Sequence, residues 1–133
     1  MSATRAAIIM VTIALSGCAT YKEVKEMPVN TSRVFIGAKA ESLSSCVFET
    51  SKENGGLYHR SYDVTEKTWF VISEFRTLLG SGNGAYNFSV AFQDTPEGTK
   101  VDIRSLSTIW GFPQAPVDRI YESATDCVRA LAA

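Results

Sequence analysis

Alternation of apolar and polar residues marks four strand-like segments in the middle of the chain. The clearest is 85–92, where every second side chain is large and apolar, as expected of a strand with one buried face. Short turns or a glycine-rich loop separate neighbouring segments, so the strands are expected to pair as an antiparallel meander. The predicted strands are residues 57–64, 69–76, 85–92 and 99–106.

Two other segments follow a helical period. In residues 38–52 the apolar positions fall three or four apart, and from Pro116 onward they do so for almost four turns, as on the buried face of a helix. The expected fold is therefore α+β, a four-stranded antiparallel meander sheet with an N-terminal and a C-terminal amphipathic helix covering one face. A short apolar run at 34–36 also fits an edge strand.

The first eighteen residues contain the three parts of a secretory signal. Arg5 precedes an apolar run at 6–15, which is followed by the small residues Ser16 and Gly17 and then by Cys18. This run is too short for a membrane-spanning helix, which needs roughly 20 residues. The order of charge, apolar run and small residues is typical of a cleaved signal rather than of a buried core helix.

The motif Leu15-Ser16-Gly17-Cys18 resembles the lipobox of bacterial lipoproteins. The resemblance covers residues 1–18. It implies cleavage between Gly17 and Cys18, diacylglycerol on the Cys18 sulfur, and a new amino terminus that is a further acylation site. Such chains hold a protein on a membrane, because each buried CH₂ contributes about 0.8 kcal/mol. Ala19 stands where an Asp would resemble an inner-membrane retention signal, which implies the outer membrane, facing the periplasm.

Beyond the signal, composition predicts a tether and then one domain. Residues 1–17 form the signal peptide, residues 18–33 the lipidated cysteine and a flexible polar tether, and residues 34–133 a single α+β domain. An extended tether of this length reaches at most about 50 Å. The domain is therefore expected to stand off the membrane surface.

Two cysteines remain once Cys18 is assigned to the lipid. Cys46 and Cys127 each lie beside the apolar stripe of a predicted helix, and disulfides persist in the envelope compartment that the signal implies. We expect a Cys46–Cys127 disulfide that joins the two helices. A pair of buried thiols or a redox pair is the alternative.

The net charge and the histidine content limit which classes of partner and cofactor are expected. Without Arg5 the 13 basic residues become 12, against 14 acidic ones, so the mature chain has a net charge of −2. It has no basic run, and nucleic acid is not expected as a partner. His59 is the only histidine and no Cys-x-x-Cys occurs, so neither a metal nor another cofactor is expected.

No group of residues predicts catalysis. His59 has no accompanying nucleophile motif, and the glycine-rich segment 80–84 lacks the lysine and following helix of a phosphate-binding loop. That segment fits a hairpin loop instead. Four carboxylates of the strands and turns show no paired spacing and fit a solvated surface: Glu74, Asp94, Glu97 and Asp102. We therefore expect no catalytic residue and no enzyme.

An aromatic pair before the C-terminal helix is the first candidate for recognition. Trp110 and Phe112 lie in an irregular segment, where they either close one end of the core or anchor a partner, since tryptophan is enriched at binding hot spots. The open edges of the sheet are a second candidate docking surface.

The expected function is that of a membrane-anchored envelope lipoprotein whose domain is a non-enzymatic binding or assembly module in the periplasm. Its partner would be an envelope protein or a second copy of the chain, and the lipid anchor would supply the membrane contact. The alternative is a carrier or enzyme for a small apolar ligand held between sheet and helices. That alternative requires a cavity of roughly several hundred Å³ there.

The lipobox resemblance generates a direct test. Replacing Cys18→Ala is expected to leave the chain uncleaved at Gly17 and without lipid, because the alkylated sulfur is lost. Metabolic labelling with a radioactive fatty acid measures lipidation, and the mass of the intact protein measures cleavage. Cys46→Ala is the control change of a different cysteine. Normal lipid labelling of the Cys18→Ala protein would contradict the anchor.

Overall fold

A computed structural model describes residues 21–53, 58–74, 86–105 and 115–132 of the chain. Within these residues the chain forms three helices and five strands in one α+β unit. In chain order they are α1 (Tyr21–Glu26), β1 (Thr31–Phe35), α2 (Ala40–Glu53), β2 (Tyr58–Asp63), β3 (Thr68–Glu74), β4 (Tyr86–Asp94), β5 (Thr99–Ser105) and α3 (Ala115–Ala132).

Strands β2 to β5 form the predicted antiparallel meander. Each pairs with the next along the chain, and Val71, Val90 and Ile103 stand side by side in the register. The β2–β3 turn is held by the Asp63 carboxylate, whose Oδ1 accepts hydrogen bonds from the backbone N–H groups of Thr65 and Glu66 at 2.9 and 3.0 Å. This part of the predicted fold is confirmed.

The prediction of four strands is wrong, because β1 adds a fifth. β1 pairs antiparallel with β5, so the described sheet has the order β1-β5-β4-β3-β2. The sequence indicated only residues 34–36, since Ser32 and Arg33 are exposed polar residues of an edge strand and leave no alternating apolar signal. Gly98 permits this pairing: a Cβ there would lie 2.3 Å from the Phe35 carbonyl oxygen.

The main core lies between one face of the sheet and the two long helices. Leu43 and Val47 of α2, and Ala124 of α3, are fully buried against Val90 and Phe92 of β4. Burying a side chain of this kind contributes about 1.5–3 kcal/mol. The two predicted amphipathic helices pack on this face, but the prediction of only two helices is wrong, since α1 is a third.

A disulfide joins the two long helices. The Cys46 and Cys127 sulfur atoms lie 2.04 Å apart and the Cα atoms 5.9 Å apart, across 81 positions of sequence. Cys127 is buried in the main core, and Cys46 packs against it. The predicted pairing is therefore present in the structure, and it fastens the first long helix to the last.

Residues 21–33 do not form the predicted tether. They form α1 and the first part of β1, and α1 lies on the sheet face opposite the long helices. Val24 is fully buried there in a second apolar cluster with Phe70, Ile72 and Ala91. The segment misled the prediction because Val24 is its one fully buried apolar residue among charged neighbours, too few to produce a helical period.

Removing the disulfide is expected to destabilise the domain. Because the crosslink restricts the unfolded chain across 81 positions, the double change Cys46→Ala and Cys127→Ala should cost about 2–5 kcal/mol of unfolding free energy, measured by urea denaturation. Dithiothreitol should lower the stability of the unaltered protein and leave that of the double variant unchanged. An equal midpoint for both proteins without reductant would contradict the prediction.

Candidate functional site

Most of the residues that the sequence indicated as sites lie outside the described residues. These are the lipobox, with Gly17 and Cys18, and the aromatic pair Trp110 and Phe112. The glycine-rich loop 80–84 also lies outside them. The structure does place Cys46 and Cys127, which it joins across the helix layer.

A cleft of about 500 Å³ opens on the sheet face that α1 covers. We call this the outer cleft. Phe70 and Ala91 form apolar parts of its floor, beside Thr68 and Gln93. Its charged lining is balanced, with four basic and four acidic residues: Lys22, Lys25, Lys100 and Arg104 against Glu26, Asp63, Glu66 and Asp102.

Asp102 is the buried charge of the outer cleft. The sequence predicted a solvated carboxylate, but only 8 % of Asp102 is exposed. Its side chain accepts a hydrogen bond from the Ser32 hydroxyl on β1, and the Lys100 Nζ lies 3.5 Å from its second oxygen. A charge this far from water needs such partners. Alternation correctly put Asp102 opposite the main core; it did not reveal that this second face is also covered.

Helix α1 forms one wall of the outer cleft and is fixed by both apolar and polar contacts. Beneath it, the buried Ser89 hydroxyl donates a hydrogen bond to the Val24 carbonyl oxygen at 2.9 Å. Lys25 lies 4.7 Å above the Phe70 ring centre and 3.9 Å from the Asp63 carboxylate. The helix is too short to be stable alone, so these contacts hold it on the sheet.

A second cleft, of about 490 Å³, lies between β1 and α3. The Arg33 guanidinium stacks 4.2 Å from the Tyr121 ring centre. The Tyr121 hydroxyl donates a hydrogen bond to Thr31 Oγ1 at 3.1 Å. Burial raises the pKa of Tyr121 above its ordinary value, against the lowering effects of that hydrogen bond and of Arg33, so the phenol stays protonated. These contacts tie the edge strand to the last helix.

Exposed apolar side chains gather at the two edges of the described sheet. Val29, Val34 and Ile36 flank or belong to β1, and Tyr62 and Val64 lie at the end of β2. Among the described large apolar residues, only Leu131 is exposed elsewhere. Sequence alternation could not single out these residues, since their exposure follows from the order of the strands.

The other polar candidates have structural places. His59 is exposed on the outer face of β2, opposite the tyrosines as alternation predicted. Asp94 accepts a hydrogen bond from the Ala40 backbone N–H at 2.8 Å, which satisfies a free donor at the start of α2. Glu97 is exposed, and the Glu74 side chain is outside the described residues.

Neither a metal cluster nor a spanning helix occurs in the described part of the chain. No three His, Cys, Asp or Glu residues there are placed to hold a metal ion. No helix there combines the length and apolar character needed to cross a bilayer. Comparison with protein-family models, with curated proteins and with solved structures finds no match.

The packing of α1 on the sheet can be tested by replacing valine with aspartate at a buried and at an exposed position. Val24→Asp places a carboxylate in the buried cluster and is expected to release α1. The rate of trypsin cleavage after Lys25 should then rise about tenfold or more, because the free energy of local opening falls by roughly 1.4 kcal/mol. Val29→Asp makes the same change at an exposed position and should leave the rate unchanged. Equal rates for the two variants would show that α1 is not held by Val24.

Proposed function

We propose that this chain is a membrane-anchored envelope lipoprotein that acts as a non-enzymatic binding or assembly module in the periplasm. The lipobox resemblance at Leu15-Ser16-Gly17-Cys18 supports the anchor. The disulfide between Cys46 and Cys127 suits an oxidising compartment. The proposed binding surface is the β1 edge of the sheet.

The observation that carries the binding role is the apolar exposure along β1. Val29 and Val34 are close to half exposed and Ile36 is 75 % exposed. Charged residues, lysine above all, and proline commonly protect an edge strand from pairing. β1 contains neither lysine nor proline, and its one charged residue, Arg33, stacks on Tyr121 of α3. Within the described residues β1 pairs with β5 alone, and an edge strand with exposed apolar side chains is suited to an added strand. The proposed occupant is an extended segment of an envelope protein.

The β2 edge is a weaker candidate because less of it is exposed: two of its six residues are exposed, against three of the five residues of β1. Arg60 of β2 donates hydrogen bonds to the Ser44 hydroxyl and the Glu41 carbonyl oxygen of α2, at 3.1 and 3.0 Å. Its guanidinium also stacks 3.9 Å from the Trp69 ring centre. These contacts fix β2 to α2, much as Tyr121 fixes β1 to α3. The two edges differ in exposure, since Ser32 to Val34 are all exposed along β1.

Packing supports a binding module over a ligand carrier. Leu43, Val47, Val90 and Phe92 are fully buried between the sheet and the long helices. The outer cleft and the cleft beside Arg33 both lie outside that space. Both are lined largely by charged side chains, whereas a site for an apolar ligand is mostly apolar.

Trp110 and Phe112 remain proposed partner contacts. They belong to the connection between β5 and α3, and β5 is the strand beside β1.

The binding edge can be tested by photocrosslinking in intact cells. A photoreactive residue at Ile36 is expected to give a discrete protein adduct, because this position lies beside the proposed partner strand. Val64 is the matched control, an aliphatic residue 77 % exposed at the opposite edge, and should give no such adduct. A third probe at Trp110 is expected to reach the same partner.

The partner that the adduct identifies can then be used to measure the contribution of the β1 edge to binding. Ile36→Asp should weaken that binding about tenfold or more, equivalent to roughly 1.4 kcal/mol, while Val64→Asp should not. An adduct of twice the chain's mass would make the partner a second copy. Adducts from Val64 alone, or equal losses in both aspartate variants, would overturn the β1 assignment.

A further inference from the structure

We propose that the outer face of the sheet lies against the membrane, with zwitterionic phospholipid headgroups in the outer cleft. This rests on the proposed lipid anchor at Cys18. The proposal goes beyond that anchor, since it assigns the face of the domain that contacts the bilayer and the lipid groups that this face binds. The domain then sits on the membrane rather than standing off it.

Chain length brings the anchor to this face. Cys18 is three residues before Tyr21, the first residue of α1, and consecutive Cα atoms are 3.8 Å apart, so the two Cα atoms are at most about 11 Å apart. Val24 follows after another three helical residues, about 4.5 Å along the axis. The acylated sulfur is therefore attached within about 16 Å of a side chain buried on the outer face.

The position of α1 on the sheet leaves the anchor little freedom. Val24 packs on Phe70, Ile72 and Ala91, which belong to the interior strands β3 and β4. A five-stranded sheet is about 19 Å across, from four spacings of roughly 4.8 Å. An anchor tethered so close to its centre lies over the outer face or just beyond its rim, while α2 and α3 lie behind the sheet.

Charge distribution favours the same orientation. The two long helices together carry six acidic and three basic residues, so their layer is net negative and is repelled by an anionic membrane surface. The outer cleft has equal numbers of the two signs. Of the two faces, the outer one approaches a membrane at the lower electrostatic cost.

The chemistry of the cleft fits a headgroup that carries both charges. Lys100 and Arg104 of β5 offer donors to a phosphate, and Glu26 and Glu66 offer acceptors to an ammonium group. Phosphatidylethanolamine presents both groups, and the cleft volume of about 500 Å³ is sufficient for such a headgroup. Cations bind phosphate through charge-assisted hydrogen bonds, and Asp102 holds Lys100 at the floor.

The native lysines allow the orientation to be measured without a substitution. Lys100 lies in the outer cleft with 41 % of its side chain exposed. Lys52 is the control on α2, with 50 % exposed. The lipidated protein is reconstituted in phosphatidylethanolamine vesicles with phosphatidylglycerol, treated with a membrane-impermeant amine acetylating reagent, and compared with the same protein in dodecyl maltoside. Mass spectrometry gives the acetylation rate of each lysine.

The expected result is a Lys100 to Lys52 rate ratio about fivefold lower or more on vesicles than in detergent, since headgroups cover the cleft. An unchanged ratio with lipid present on Cys18 would overturn the orientation and leave the anchor intact. Absence of an acyl mass on Cys18 would overturn the anchor and this proposal together. Protection that is lost on vesicles of phosphatidylethanolamine and phosphatidylcholine, without phosphatidylglycerol, would overturn the assignment of a zwitterionic headgroup.

Discussion

The apolar residues on both faces of β3 and β4 impose the main constraint on this fold. Val71 and Val90 point to one face, and Phe70, Ile72 and Ala91 to the other, and all are buried. Two long helices cover the first face, and the second face needs a separate cover. Helix α1 provides this cover with Val24. Covering the second face therefore draws the N-terminal segment onto the domain and removes the spacer that its polar composition suggested.

The disulfide acts on the opposite layer in a complementary way. It joins α2, which follows β1, to α3, which ends the described chain, and α3 in turn contacts β1 through Tyr121 and Thr31. The helix layer and the β1 edge thus form one connected unit. A partner that adds a strand to β1 would meet a preformed edge, and little ordering cost would oppose its binding.

How far the fold follows from the sequence depends on how much of each element is buried. The meander strands and long helices bury regularly spaced side chains, so their hydrophobic periods can be recognised in the sequence. Helix α1 buries Val24 fully and Met27 only partly, and β1 is an exposed edge, so neither produces a period. Asp102 shows the same limit at the site: its direction follows from alternation, but its burial depends on Ser32, seventy residues away, and on α1. The pairing of Cys46 with Cys127 could be predicted from the sequence because both cysteines lie on helices with a clear hydrophobic period.

The proposed orientation and the proposed binding edge constrain each other. If the outer face rests on the bilayer, the strands lie roughly parallel to its surface, and the β1 edge points sideways rather than into the periplasm. A strand added at β1 would then run close to the headgroups, within reach of Val34 on the outer face and of Arg33 on the helix side. Partners that approach along the membrane, such as another anchored protein or the membrane-proximal segment of a spanning one, reach this edge directly. A soluble protein would meet the acidic helix layer first, so the geometry favours a membrane-associated partner.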